Sequence, residues 1–389
     1  MTAGPGRVRV TLRQPPDRMM PDRLRAVVRR ALLAARTPFL LASGLLRRRA
    51  PRPPPPARVS RILVVRTDRL GDMALPAPAL LDLRNHFRRA AITVLAPAGP
   101  LALLENHPAV DRRVVLDRGG LPQELVGGFD LAIDFTPDEN VRGALLVARS
   151  RAPFRTGFAA AGRQALFTLR APRADRARHI VDLHRDLLAS LGVTPRDRGG
   201  PSLFVSPDER GAAQSRLAAL GAAFPRVAVH PGGHYSSQRW QPERFAEVIS
   251  LLTERTGAAC IVLHGPGEEA LAERVCAASP DALPVGPLPV RDLLALIASC
   301  EIFLGNNSGP LHLAGALGIP TVSLIGPTDP ARFSPRGPAD RVIRHEVSCA
   351  PCGRGRCWHH TCLRTIEPEE VVGEMDAAVR SLLAHEEAR

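Results

Sequence analysis

GNNSGPLHLAGALGIPTVSLIGPTDP, residues 305–330, joins the end of one apolar strand to a turn of small residues, a helix start and a second apolar strand. Residues 301–304 lead in as the first strand. Ser308 can cap the helix, Gly309 lets the backbone come close to a ligand, and Pro310 suits the first helical turn. Backbone amides and the positive end of the helix then face one point, which is how a chain can hold a diphosphate without a metal. A plain strand-to-helix connection shares this local pattern, so the reading depends on what the rest of the chain places opposite it.

Outward from that stretch, short apolar runs alternate with helical patterns. The runs at residues 62–65, 92–95, 113–116 and 131–135 flank a long helix over about 76–89. A second series, 227–230, 260–263, 302–304 and 321–325, is interleaved with helices over about 243–255, 268–277 and 291–298. Hydrophobicity that is continuous rather than alternating marks strands buried on both faces of a parallel sheet. The pattern predicts two α/β domains in tandem with a cleft between them. The expected division is a basic arm and Pro-rich linker at 1–58, a first domain at 59–200, a second at 201–367 and a C-terminal helix at 368–389.

At 389 residues, 45% hydrophobic and 23% charged, the chain is long enough for two cores and is not disordered throughout. Its net charge of +14 looks like that of a nucleic-acid binder until it is mapped. Fifteen arginines fall in residues 1–61 against Asp17 and Asp22, which leaves the body near neutrality. No nucleic-acid partner is therefore expected for the folded part. Within the arm, residues 23–49 form a basic amphipathic pattern that could touch an anionic membrane; the alternative is a disordered leader, or a later start at Met19 or Met20. The apolar run 38–46 is too short to span a bilayer, and Arg47, Arg48 and Arg49 follow it instead of a cleavage site. With seven Cys and no export signal, the expected location is the cytoplasm, with peripheral contact at the inner face of the membrane if the arm binds there.

Three strand ends carry candidate chemistry. After the first strand comes Arg66-Thr67-Asp68-Arg69-Leu70-Gly71-Asp72, which has one Gly and not the GxGxxG spacing of a dinucleotide site. Asp72 beside a flexible Gly suits a general base, although Asp72 or Asp68 would also serve as a helix cap. The strand at 227–230 runs into HPGGHYSSQRW, where His230, Gly232, Gly233, Ser236, Ser237 and Arg239 supply amides, hydroxyls and a guanidinium for phosphate oxygens. Trp240 reads as an anchor in the core. In LHGPGEEA, Glu268 and Glu269 follow another strand end, where an acid can accept bonds from ribose hydroxyls or simply begin a helix.

The GD-containing turn, the HPG segment leading to RW-P-ERF, and SGPLHLAGALGIPTVSLIGPTDP together resemble glycosyltransferase family 9, the heptosyltransferases of lipopolysaccharide core assembly, over about residues 60–385. The resemblance implies a GT-B architecture, two Rossmann-like parallel-sheet domains facing across a cleft, with acceptor on the first and nucleotide sugar on the second. It implies an inverting, metal-independent glycosyltransferase that moves a heptose or related sugar from an ADP-sugar donor to a hydroxyl of a lipopolysaccharide core or other glycan, with no cofactor. Matched position by position, Asp72 is the base, with Arg66 and Gly71 on the acceptor side. Ser236, Arg239, Glu268, Asn307, Ser308, Gly309 and His312 fall on the donor side, with Glu269 an alternative to Glu268. Two positions depart from the family's pattern: Gln238 stands where a Lys is frequent, and Asn307 where an Asp is. All 52 basic residues of this chain are Arg, so Arg239 is the nearest replacement for that Lys.

Two other functions fit the same residues: a nucleotide-sugar epimerase of GT-B fold, and a non-catalytic relative that binds glycan or membrane. Cys349, Cys352, Cys357 and Cys362 lack the paired CxxC knuckles of a zinc site and fit iron–sulfur spacing poorly. Reduced thiols, a labile disulfide or a bound metal remain open for them, and no metal is assigned to the site.

Overall fold

The computed structural model describes residues 52–387 apart from 118–119, 170–171, 176 and 196–199. The membrane-binding pattern expected at 23–49 lies outside the described residues. Two parallel sheets dominate. The first contains β1 (Arg61–Val65), β2 (Ala91–Ala96), β3 (Arg112–Val115), β4 (Leu131–Asp134) and β5 (Phe154–Gly157), in the order β3-β2-β1-β4-β5. The second contains β6 (Arg226–His230), β7 (Ala259–Leu263), β8 (Ala282–Val285), β9 (Ile302–Asn306), β10 (Thr321–Leu324) and β11 (Arg341–Ile343), in the order β11-β10-β9-β6-β7-β8.

Successive strand residues face opposite sides of a sheet, so a strand apolar at every position needs cover on both. In β1, Ile62 and Val64 join one core while Leu63 and Val65 join another. In the second sheet, Ala228, Ile261 and Phe303 face the same core as Ile62, whereas Val229, Val262 and Leu304 face the far side. One apolar core thus runs between the sheets from Val59 to Ala314. The final helix, Pro368–Glu387, closes the far side with Val371, Val372, Met375 and Val379. Among the described residues no helix is long and apolar enough to cross a membrane.

Polar contacts reinforce the junction. Ser206 and Glu209 form a reciprocal cap on helix Pro207–Ala219. Glu209 also takes a two-pronged bond from Arg291 at 2.7 and 2.6 Å, and Arg291 reaches back to the Leu103 carbonyl at 3.4 Å. These Arg291 bonds hold the Glu209 pKa at about 2 against the upward push of burial. On the other flank, Arg336 pairs with Asp182 at 2.6 Å and the His179 ring meets the Ser334 carbonyl at 2.9 Å.

Candidate active site

Strand order fixes where a ligand can sit. The chain leaves β1 to one side for β2 and β3 and to the other for β4 and β5; the second sheet reverses likewise between β6 and β9. In open parallel sheets the crevice at such a reversal, beyond the carboxyl ends of the strands, is the ligand site. The turns after β1, β6 and β9 are therefore the ones that matter.

After β1 the chain buries Arg66, which is only 2% exposed. Its guanidinium pairs with Asp68 at 3.0 Å, donates to the Phe135 carbonyl and lies 3.1 Å from His184 Nε2. Arg66 was expected on the acceptor side; its charge faces into the domain, and what it contributes there is a fixed Asp68. Burial raises the Asp68 pKa, Arg66 opposes this, and Asp72, Asp138 and Asp134 raise it further. Behind the turn, Asp134 and Arg163 form a fully buried ion pair.

Gly71 and Asp72 lie in helix Leu70–Ala74. Asp72 Oδ2 accepts from the Arg69 amide at 3.3 Å while the residue stays partly exposed, so it caps the helix and remains accessible. Gly71 is where the two domains meet: a Cβ built on it would stand 2.5 Å from Gly309 Cα. The turn carrying Asp72 is thereby pressed directly against the turn at Ser308 and Gly309. His312, one helical turn further on, feels Asp72 as well; burial pushes its pKa down to about 4, and the Asp72 charge opposes that push.

After β6 and β9 the polar groups interlock. Asn306, which the sequence reading passed over, is fully buried; its Oδ1 accepts from the Trp240 amide at 3.0 Å, and its Nδ2 donates to the Pro231 and Gly232 carbonyls at 2.9 and 3.0 Å. Trp240 is 1% exposed and packs on Phe245, an anchor as its setting predicted. Arg239 Nε donates to the Gly233 carbonyl at 2.7 Å, holding the glycine loop, and Ser236 opens the adjoining turn on the surface. Tyr235, the one tyrosine in the chain, lies under the Arg69 guanidinium at 5.8 Å and links this loop to the first domain. No local pattern in the sequence signals either Asn306 or Tyr235.

Glu268 was expected to be available for a ribose, but most of its capacity is already used. Oε1 accepts from the Gly233 amide at 2.9 Å; Oε2 accepts from the Gly265 amide at 3.0 Å and lies 3.1 Å from His230 Nε2. Burial pushes its pKa up, but His230 and the two amides more than offset this and leave it at about 2. Of roughly four acceptor positions on a carboxylate, one is left. Glu269 instead begins helix Glu269–Ala278 and accepts from the Gly267 amide at 3.1 Å.

Ser308 precedes helix Gly309–Leu317 but does not cap it: its Oγ lies 3.2 Å from His230 Nδ1. The first helical turn is left without a side-chain cap, which suits an anion. Beside it, Asn307 is 5% exposed and its Nδ2 is buried with no partner. A buried donor of this kind needs an acceptor, and a phosphate oxygen would supply one. None of the seven cysteines is in a disulfide. Burial, and then Cys349, Cys352 and Cys357, raise the Cys362 pKa, and among the described residues no group of three or more ligands is gathered for a metal.

Two parallel sheets meeting at their strand ends over a glycine-rich helix start define the GT-B class. The glycosyltransferase family 9 (heptosyltransferase) model matches residues 118–362, more than half of the chain, and the chain belongs to that family and is a glycosyltransferase. It is 26% identical over 357 residues to lipopolysaccharide heptosyltransferase 2 of Escherichia coli K12, covering 84% of this chain and 100% of that one. Its fold matches the glycosyl transferase family 9 protein of Veillonella parvula DSM 2008 with a TM-score of 0.73, at 24% identity, covering 83% of this chain and 98% of that one. It matches the E. coli ADP-heptose lipopolysaccharide heptosyltransferase II with a TM-score of 0.70, at 23% identity over 82% of this chain and 99% of that one.

Proposed function

We propose that this chain transfers a heptose from an ADP-sugar to a hydroxyl of a lipopolysaccharide core acceptor, with inversion at the anomeric carbon. The observation that carries the reading is the contact of Gly71 with Gly309, which sets a partly exposed carboxylate against an uncapped helix start. Asp72 takes the proton of the acceptor hydroxyl as its oxygen attacks the anomeric carbon from the face opposite the diphosphate. The bond from that carbon to the diphosphate oxygen breaks, and its electron pair leaves with ADP. The developing charge is met by the amides at Gly309, the Asn307 amide group and Arg239, which is work that needs no metal in this reading. Glu268, with its one remaining acceptor position, holds a ribose hydroxyl. Names of relatives, one of them an ADP-heptose enzyme, support the choice of donor.

The test is Asp72→Asn. Loss of a general base lowers turnover by about 10²–10⁴-fold, while ADP-heptose should raise the melting temperature of the variant and of the native chain alike. Turnover at the native rate would remove Asp72 from the role.

A further inference from the structure

The hydrogen-bond chain Ser308–His230–Glu268 has more parts than a ribose site or a phosphate turn requires. It links the two, since Glu268 lies on the loop after β7 and Ser308 at the start of helix Gly309–Leu317. His230 is 4% exposed and Ser308 8%, so water competes little for these bonds.

The proton positions follow from the partners. Glu268 is ionised and can only accept, so His230 Nε2 must carry a proton and donate to it across 3.1 Å. A neutral imidazole then presents a lone pair at Nδ1. The single proton of Ser308 points at that lone pair across 3.2 Å, and the hydroxyl shows only lone pairs to its other side. Lone pairs repel phosphate oxygens. When Nδ1 also carries a proton, the imidazolium donates at both ends, Ser308 Oγ accepts, and its own O–H is released to donate elsewhere.

We infer that His230 is a positioning residue for the donor diphosphate: by taking up one proton from solvent it turns the Ser308 hydroxyl from acceptor to donor, and it returns that proton when ADP leaves. The inference rests on the donor-site reading above. Glu268 balances the imidazolium charge and is the one ionisable side chain hydrogen-bonded to His230 among the described residues. The other charged or titratable groups on the surrounding segments are His234 and Tyr235 on the loop after β6, Arg239, tied to the Gly233 carbonyl, His264 and Glu269 on the loop after β7, and His312 and Asp72 beyond Ser308. Burial keeps His312 neutral near pH 7. Asn307 Nδ2 donates at every pH, so the site pairs a fixed donor with a switched one. Donor affinity should therefore fall as pH rises, by at most about tenfold per unit while only the bound form keeps the proton.

Calorimetry of ADP-heptose binding to the full chain, in buffers of different ionisation enthalpy between about pH 6 and 9, reads the proton directly. The diphosphate of a nucleotide sugar is a diester and does not titrate in that range. Uptake approaching about one proton per donor is expected. His230→Asn, whose amide does not titrate, and Ser308→Ala, a small change that keeps the imidazole, should each abolish uptake and flatten the pH dependence of affinity. Melting curves of both variants check folding, and Ser308→Ala decides if His230→Asn does not fold. Tight binding with no uptake in the native chain, or undiminished uptake in Ser308→Ala, overturns the switch and leaves the donor site standing. No binding of ADP-heptose at any pH overturns both.

Discussion

The strand ends of the two sheets use polar residues in opposite ways. Beyond β1 and β4 the polar groups are sealed around charge: Arg66, Asp134 and Arg163, with a His184 ring whose pKa burial and then Arg66 push well down, are all 2% exposed or less. Beyond β6 and β9 they are largely neutral, with Asn306, Asn307, Ser308 and His230 built around backbone amides; Asn307 Nδ2 is buried there without a partner, as Arg66 Nε and Arg163 Nε are on the first side. Buried charges hold shape but cannot move, and the first domain uses them to fix a turn that carries Asp68, paired with Arg66, and the partly exposed Asp72. On the function proposed above, a diphosphate needs directed donors instead, and the second domain would supply them through Asn307 and the backbone at Gly309.

Breaking the sealed side should have the largest effect on stability. Asp134 holds Arg163 and accepts from the Thr136 amide at 2.9 Å, with burial raising its pKa and Arg163 opposing. Asp134→Ala leaves a buried guanidinium unpaired and should cost about 3–5 kcal/mol in chemical denaturation. ADP-heptose binding, measured well below the new melting temperature, should survive because the donor turns lie on the other sheet. An unchanged denaturation midpoint would show that Arg163 is not sealed in.

On the donor side the effect is smaller and depends on pH. The Glu268 pKa, about 2 when folded against an ordinary 4.5, makes its stabilisation fully present above pH 4.5 and lost as pH falls through about 2. The shift corresponds to at most about 3 kcal/mol. Glu268→Gln should lower stability at pH 7 by up to that amount and flatten the acid limb of the stability profile. Denaturation midpoints across that range check it, and a variant that loses stability with acid as steeply as the native chain would contradict the assignment.

Legibility in the sequence follows the same division. The strands β1, β2, β4, β6, β7, β9 and β10 announce themselves because burial on both faces demands unbroken apolar runs. The sequence reading omitted β5, β8 and β11, since FRTG carries an Arg and a Gly, ALPV a Pro, and RVI is a three-residue edge. Helix Gly309–Leu317 and its Gly-Pro start were legible because a helix start is a local matter. Where side chains point was not: Arg66 turns inward to meet His184, and Ser308 gives up its cap for His230, through partners 118 and 78 residues away. No local pattern encodes such pairings.

Gly71 is where the two regions touch, and a substitution there should disturb stability least of the three while costing activity most directly. Its added Cβ would meet Gly309 backbone, which cannot swing aside as the end of a flexible side chain could. The turns must separate by several tenths of an ångström or more, and overpacking of this kind costs about 1–3 kcal/mol. The bond from Arg291 to the Leu103 carbonyl and the ion pair Arg336–Asp182 hold the domains together away from this point, so the fold should absorb the strain. The reaction should not, because the Asp72 carboxylate moves with Gly71 while Ser308 moves with Gly309. A displacement approaching 1 Å between reacting groups can cost about 10²-fold in rate. Gly71→Ala should therefore lower kcat by about one to two orders of magnitude with ADP-heptose affinity nearly unchanged. If instead affinity fell and kcat held, the contact would be serving the donor turn alone, and the base would have to be sought elsewhere, with Asp68 the nearest carboxylate on the same turn.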